Sequence, residues 1–184
     1  DGLDMCSYLG IYDIGVTNMA NELYIIKSLK LARTVADKVH LDVQYYNEGT
    51  FRRNYLYADR PFTASFENEF MHDMVVGIKV ESAQTYSVDK LIVNGEEQVL
   101  PDHQIYFFGS KIKLAVTEEE ITLTVEDNNY PYLVSALENV VYIHRMSPDA
   151  AAALCQSMIK AESRASSMVR ITCNANSVAE ADAV

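Results

Sequence analysis

Four histidines, three cysteines and a run of three glutamates are the residues of this chain best suited to chemistry. A protein zinc site needs three or four His, Cys or carboxylate ligands converging on one point, and helical sites show as pairs four residues apart. His40, His72, His103 and His144 have no such partners and fall in different predicted elements. Each reads as a solvated or structural histidine. Cys6, Cys155 and Cys173 are widely separated, without the paired spacing of a metal site or a disulfide framework, and Cys155 and Cys173 stand where small apolar residues would serve. Glu96-Glu97 and Glu118-Glu119-Glu120 are the densest carboxylates. Carboxylate catalysis needs two such groups facing each other across a substrate, whereas neighbours in turn-like segments are expected to point into water.

Other reaction centres are missing from the pattern. No glycine-rich turn ends in Lys-Ser or Lys-Thr, so there is no P-loop, and no Gly-x-Ser-x-Gly elbow presents a serine nucleophile. The residues give no case for catalysis and imply no cofactor or metal. Twelve tyrosines remain, densest at Tyr45-Tyr46 and Tyr55-Leu56-Tyr57. A tyrosine ring is a platform for a sugar, but it is also a strand former that buries its ring and keeps its hydroxyl wet.

The elements that must position these residues change character along the chain. Leu23, Ile26, Leu31, Val35 and Val39 keep helical spacing, which predicts one helix from about Asn18 to His40, with Thr17 or Asn18 as N-cap. LDVQYY then alternates as a strand and NEG closes it. After ADRP, residues 62–66 have a two-residue period. Between Phe62 and His144 the runs VVGIKV, YSVDKLIV, IYFFG, KIKLAV, ITLTVE and LENVVYIH are short and β-favouring, and turn signals punctuate them. Asn94-Gly95 is the strongest hairpin signal. The region predicts a small antiparallel sandwich or barrel. MSPDAAAALCQSMIKAESR predicts a helix with Ser147 as N-cap and Pro148 at its first position, and Met168–Cys173 a strand. Ser177, with Glu180 three residues on, is expected to cap a further helix that the C-terminus cuts, so the chain reads as a piece of a larger protein.

The chain has 184 residues, 49% of them hydrophobic, enough for a real core in one domain or one domain with an insertion. Its formal net charge of −11 repels nucleic-acid phosphates and anionic membrane surfaces. No apolar run reaches the length of a membrane helix and DGLDMCSYLG lacks the basic start of a signal peptide, so the sequence as it stands is expected to be soluble.

NELYIIKSLKLARTVADKVHLDVQYYNEG resembles a stretch of the chain-length determinant (Wzz) family of bacterial polysaccharide co-polymerases. The matching positions are Asn21, Glu22, Leu23, Ile25, Ile26, Lys27 and Ser28, then Val43, Tyr45, Tyr46 and Gly49. LYADRPF is similar to the family's Leu-Tyr-x-x-Ser-Pro-Phe: Leu56, Tyr57, Pro61 and Phe62 match, while Arg60 replaces the serine. The segment from Ser147 to Val184 resembles the family's closing helix, strand and alanine-rich helix, most like the capsular exopolysaccharide proteins of Bacteroides-like bacteria.

The resemblance implies an α+β fold, with a Wzz-like α/β domain formed by residues 1–61 and 147–184 and a β-rich insertion at 62–146. It implies the periplasmic part of an inner-membrane protein, anchored through segments outside this sequence and carrying a cytoplasmic tyrosine kinase domain in some relatives. The expected partners are copies of itself, the membrane polysaccharide polymerase, outer-membrane export machinery and the glycan chain. Asn21, Glu22, Lys27, Ser28 and Arg33 would then serve contacts between subunits. The alternative is a non-catalytic carbohydrate-binding β module, with a glycan resting on tyrosines of the β region.

Overall fold

A computed structural model describes residues 20–101, 103–114, 117–165 and 168–174. It has the predicted α+β class, helices together with antiparallel sheets. Internal contacts divide the chain into two compact units: one contains residues 20–41 and 149–174, the other Asp42–Pro148. Residues 42–61, grouped with the α/β ends by the resemblance, contribute two strands to the main sheet of the second unit.

In the first unit, residues 20–26 are helical (α1) and a second helix, α2, spans Leu29–Lys38. The single helix expected from Asn18 to His40 is therefore broken at Lys27-Ser28. Ser28 is extended (φ −73°, ψ 141°), and its hydroxyl accepts a hydrogen bond from the Leu31 amide at 3.2 Å. Serine competes for backbone donors better than it propagates a helix, so apolar spacing that runs through it conceals the break. The end of α2 is a Schellman closure: Leu41 N–H reaches the Ala36 carbonyl at 2.9 Å and His40 N–H the Asp37 carbonyl at 3.3 Å. His40 takes the left-handed conformation there, φ 53°. Ala32 and Ala36 are the buried positions of α2, while Leu31, expected inside, is 36% exposed. Thr17, Asn18 and Cys6 lie outside the described residues, as does the C-terminal helix expected from Ser177.

The later helix, α4 (Pro148–Met158), starts as its proline and Asp149 predict, and buries Ala151, Ala152, Cys155 and Met158. It does not continue through IKAESR. Ile159–Ala165 is strand β11, paired antiparallel with β12 (Met168–Cys173). The helix-favouring composition of that segment yields to a ladder offered by its β-rich neighbour. Gln156 Nε2 donates to the Lys27 carbonyl at 2.6 Å and Arg33 forms an ion pair with Asp149, two ties between the N- and C-terminal segments of this unit.

The second unit begins with β1 (Val43–Glu48) and β2 (Arg53–Leu56), a hairpin, followed by β3 (Thr63–Phe66). β4 (Met74–Val80) and β5 (Thr85–Val93) then pair, and the Asn94-Gly95 turn returns the chain into β6 (Glu96–Glu97). Both turn residues have positive φ, 51° and 85°, as such a two-residue turn demands. β7 (Ile105–Phe107), β8 (Lys111–Lys113), β9 (Glu120–Thr124), the short helix α3 (Tyr130–Ser135) and β10 (Val140–Arg145) complete it. The main sheet has the order β2-β1-β10-β4-β5-β6, with β7 on β5, and the second sheet is β3-β9-β8. Both line one core, in which Met74, Val76, Ile78 and Ile143 meet Phe62, Ile121 and Leu123. No helix among the described residues is long and apolar enough to cross a membrane.

The glutamate run departs from expectation. In the bend that leads into β9, Glu118 points outward to Lys113, 2.5 Å away, and Glu119 inward, where its side chain is 0% exposed. Arg145 meets it at 2.5 Å, donates to the Asn68 carbonyl at 2.7 Å and lies 4.4 Å from the centre of the Phe66 ring. Removing one partner of such a pair strands the other charge in a dry interior. Glu119→Ala is expected to cost about 3–5 kcal/mol in urea unfolding followed by circular dichroism. The joint change to Glu119→Leu with Arg145→Met should cost much less; equal losses would show that the pair is not what holds the two side chains inside.

Tyr86 is fully buried against Tyr106 and Phe108, and its hydroxyl has no hydrogen-bond partner among the described residues. Burial raises its pKa far above the ordinary phenol value, and burial raises that of Tyr45 as well. The unfolded chain releases these protons near the ordinary value of 10.0 while the folded chain retains them. Stability is therefore whole below pH 10 and is lost as pH climbs from there towards the folded values. Tyr86→Phe should leave stability at neutral pH unchanged or higher by up to about 1 kcal/mol, and should soften the alkaline loss. A loss of more than about 2 kcal/mol at neutral pH would mean that the hydroxyl is satisfied.

Candidate functional site

The residues that carry the family resemblance in the second unit are mostly structural. Tyr45 and Tyr46 are adjacent in β1, so they face opposite sides of the sheet. Tyr45 sits edge-on to Phe62, ring centres 6.3 Å apart, and its hydroxyl accepts from the Ala64 amide at 2.7 Å. Tyr46 stacks on Tyr142, directly opposite in β10, at 5.2 Å and 13°, with the Arg53 guanidinium 4.6 Å from its ring centre. Gly77 in β4 lies next to Tyr142; a Cβ there would stand 3.2 Å from the Tyr142 ring, so glycine gives the ring its place.

Gly49 closes the β1–β2 hairpin, its amide on the Arg52 carbonyl at 3.0 Å. Leu56 packs on the core and Phe62 is fully buried. Between them the chain turns: Tyr57 N–H meets Asp59 Oδ1 at 3.0 Å, Arg60 reaches the Tyr57 carbonyl and the Thr63 hydroxyl, each at 3.3 Å, and Pro61 is buried. Asn129 Nδ2 donates to the Arg60 carbonyl at 2.9 Å. Arg60 thus holds the turn through its guanidinium.

This hairpin and turn, with α3 and the start of β10, wall an open cleft of about 430 Å³. Asn47 and Glu48 of β1, Asp59, Tyr132 of α3, Asn139 and Tyr142 give it its chemistry. Among the described residues, no Lys, Arg or His lines it. The Tyr142 phenol has a raised pKa, first because it is partly buried and then because the negative charge of Glu48 is near. Asn47 Oδ1 is buried and has no hydrogen-bond partner among the described residues. The arrangement offers hydrogen-bond acceptors, phenols and ring faces to a ligand and contains no nucleophile with an adjacent base. Of these residues only the tyrosines carried a sequence signal, as members of an abundant type; Asn129 before Pro131 also marked a helix start, which the turn-like DNNYP concealed.

No protein-family model matches the chain, and no curated protein matches it.

The first unit has a different surface. Asn21, Glu22 and Lys27 are exposed on and just after α1. The hydroxyl of Ser28 is committed to capping α2, and Arg33 pairs with Asp149, with both side chains more than half exposed. Between and beside these residues stand large apolar side chains in water: Tyr24 is 79% exposed, Ile25 57% and Leu29 48%.

The hairpin fixes the position of Glu48, so its glycine is a point of control. A Cβ at Gly49 would lie 2.7 Å from the Arg52 carbonyl oxygen, too close unless the backbone shifts. Gly49→Ala is expected to cost about 1–3 kcal/mol and to speed amide exchange in β2 selectively. Unchanged exchange at Tyr55 and Leu56 would show that the hairpin does not depend on the glycine.

Proposed function

We propose that this segment is the periplasmic, self-associating part of an inner-membrane polysaccharide co-polymerase, which sets the length of a capsular or exopolysaccharide chain without catalysing a reaction itself. The observation that carries the reading is the helical surface at 20–38, where Tyr24, Ile25 and Leu29 are exposed beside Asn21, Glu22 and Lys27. Exposed side chains of this size at the end of α1 and the start of α2 suit an interface core with a polar rim. The resemblance supplies the occupant: a second copy of the chain, repeated around a ring. In the full protein, membrane anchoring raises the local concentration of copies, and the polymerase and export machinery are the other partners. Where a tyrosine kinase domain is attached, association of this part brings kinase domains together. A carbohydrate-binding role is compatible with this one and rests on the cleft of the second unit.

Photo-cross-linking in cells tests the reading. A benzophenone amino acid at position 24 of the full-length protein is expected to give dimers and higher adducts, whereas one at Val99, 91% exposed in the other unit, gives none. The double change Ile25→Asp with Leu29→Asp should reduce those adducts at least about tenfold, the effect of ~1.4 kcal/mol, and shift the length distribution of the surface polysaccharide while the thermal midpoint stays the same. Monomeric protein at position 24, or polysaccharide of unaltered length in the double variant, would overturn it.

A further inference from the structure

We propose that the cleft of the second unit is a binding subsite for a neutral oligosaccharide. This goes beyond self-association and depends on different residues, so either reading can fail alone.

The ligand class follows from the walls. An anionic ligand, whether phosphate, nucleotide or uronic acid, needs a cation, and the cleft has none while Glu48 and Asp59 line it. A lipid needs continuous apolar walls, and here carboxylates and carboxamides interrupt them. A neutral sugar presents vicinal hydroxyls around an apolar ring face, and each kind of surface has its counterpart here. Asp59 accepts from the Tyr57 amide with one oxygen, leaving the other as an acceptor. Asn139 donates from Nδ2 to the Leu137 carbonyl at 3.1 Å, and its Oδ1 makes no further hydrogen bond among the described residues. The ring of Tyr132, a residue 40% exposed, supplies an apolar face at the rim.

The site is also built in advance. Tyr142 is stacked on Tyr46, ring centres 5.2 Å apart, and the Arg53 guanidinium lies 4.6 Å from the Tyr46 ring centre. A tyrosine held by such stacking loses little freedom when a ligand arrives. The unpartnered Oδ1 of Asn47, a residue of the cleft lining, is a second, independent mark of a site left incomplete.

The test is a ¹H–¹⁵N NMR titration of the 184-residue chain with three probes of similar size: a neutral hexose tetrasaccharide, a tetrasaccharide of uronic acids and trilysine. The neutral probe is expected to shift the amides of residues 47, 48, 132 and 139 together, saturating in the millimolar range. Tyr132→Ala and Asn139→Ala, both exposed positions, should each weaken binding at least fivefold with the rest of the spectrum unchanged, and Tyr130→Ala, outside the cleft, should not. If no neutral tetrasaccharide of glucose, mannose or galactose shifts those amides, or if the variants bind as well as the parent, the proposal is wrong. Saturable binding of the uronic-acid probe or of trilysine in preference to the neutral one would equally overturn it, in favour of an anion or a basic peptide.

Discussion

Arg145 ends the strand that lies between β1 and β4, and its guanidinium points into the interior, where Glu119 is the carboxylate that makes a buried cation tolerable. Neither charge is stable there alone. Glu119 precedes β9, and Asn68, whose carbonyl also accepts from Arg145, follows β3, so the contact joins the end of the main sheet to two strands of the smaller one. Because side chains alternate along a strand, fixing Arg145 inward also fixes Ile143 and Val141 inward and sends Tyr142 to the opposite face. A slip of one residue in β10 would turn the arginine outward and Tyr142 inward, to a position that Val141 or Ile143 now fills. The pair that closes the core thus also decides that a tyrosine stands at the cleft.

Legibility from sequence followed the range of the interactions involved. Residues that act through their own backbone showed themselves: Asn94-Gly95 as a turn and Pro148 at a helix start. Strands rich in β-favouring apolar residues, such as β4 and β10, were equally plain. Features set by distant partners were not. Arg53–Leu56 has a polar beginning and becomes a strand because β1 supplies the ladder, and Ile159–Ala165 changes from helical composition to strand for the same reason. Glu119 looks like its two neighbours in sequence, and only an arginine 26 residues away distinguishes it. The cleft was invisible because its walls come from four separate stretches between Asn47 and Tyr142, none of which carries a motif.

Electrostatics set terms for both proposed roles. With 26 acidic against 15 basic side chains, every copy of the chain repels its neighbours at long range. Physiological salt screens that repulsion beyond about 8 Å, leaving short-range apolar contact as the attraction on which association must rely. The exposed Tyr24, Ile25 and Leu29 supply such contact without adding charge, and anchoring in a membrane raises the concentration at which it operates. The same excess of acid would select the ligand proposed for the cleft. A polymer rich in uronic acids would be held away by the whole surface as well as by Glu48 and Asp59, whereas a neutral stretch meets no such barrier. Weak, uncharged contact is also what a growing chain requires, since a subsite that held it tightly would stop its passage. In the proposed role, millimolar affinity, about −4 kcal/mol, would let a glycan be oriented at each copy around a ring and released within the time of its extension.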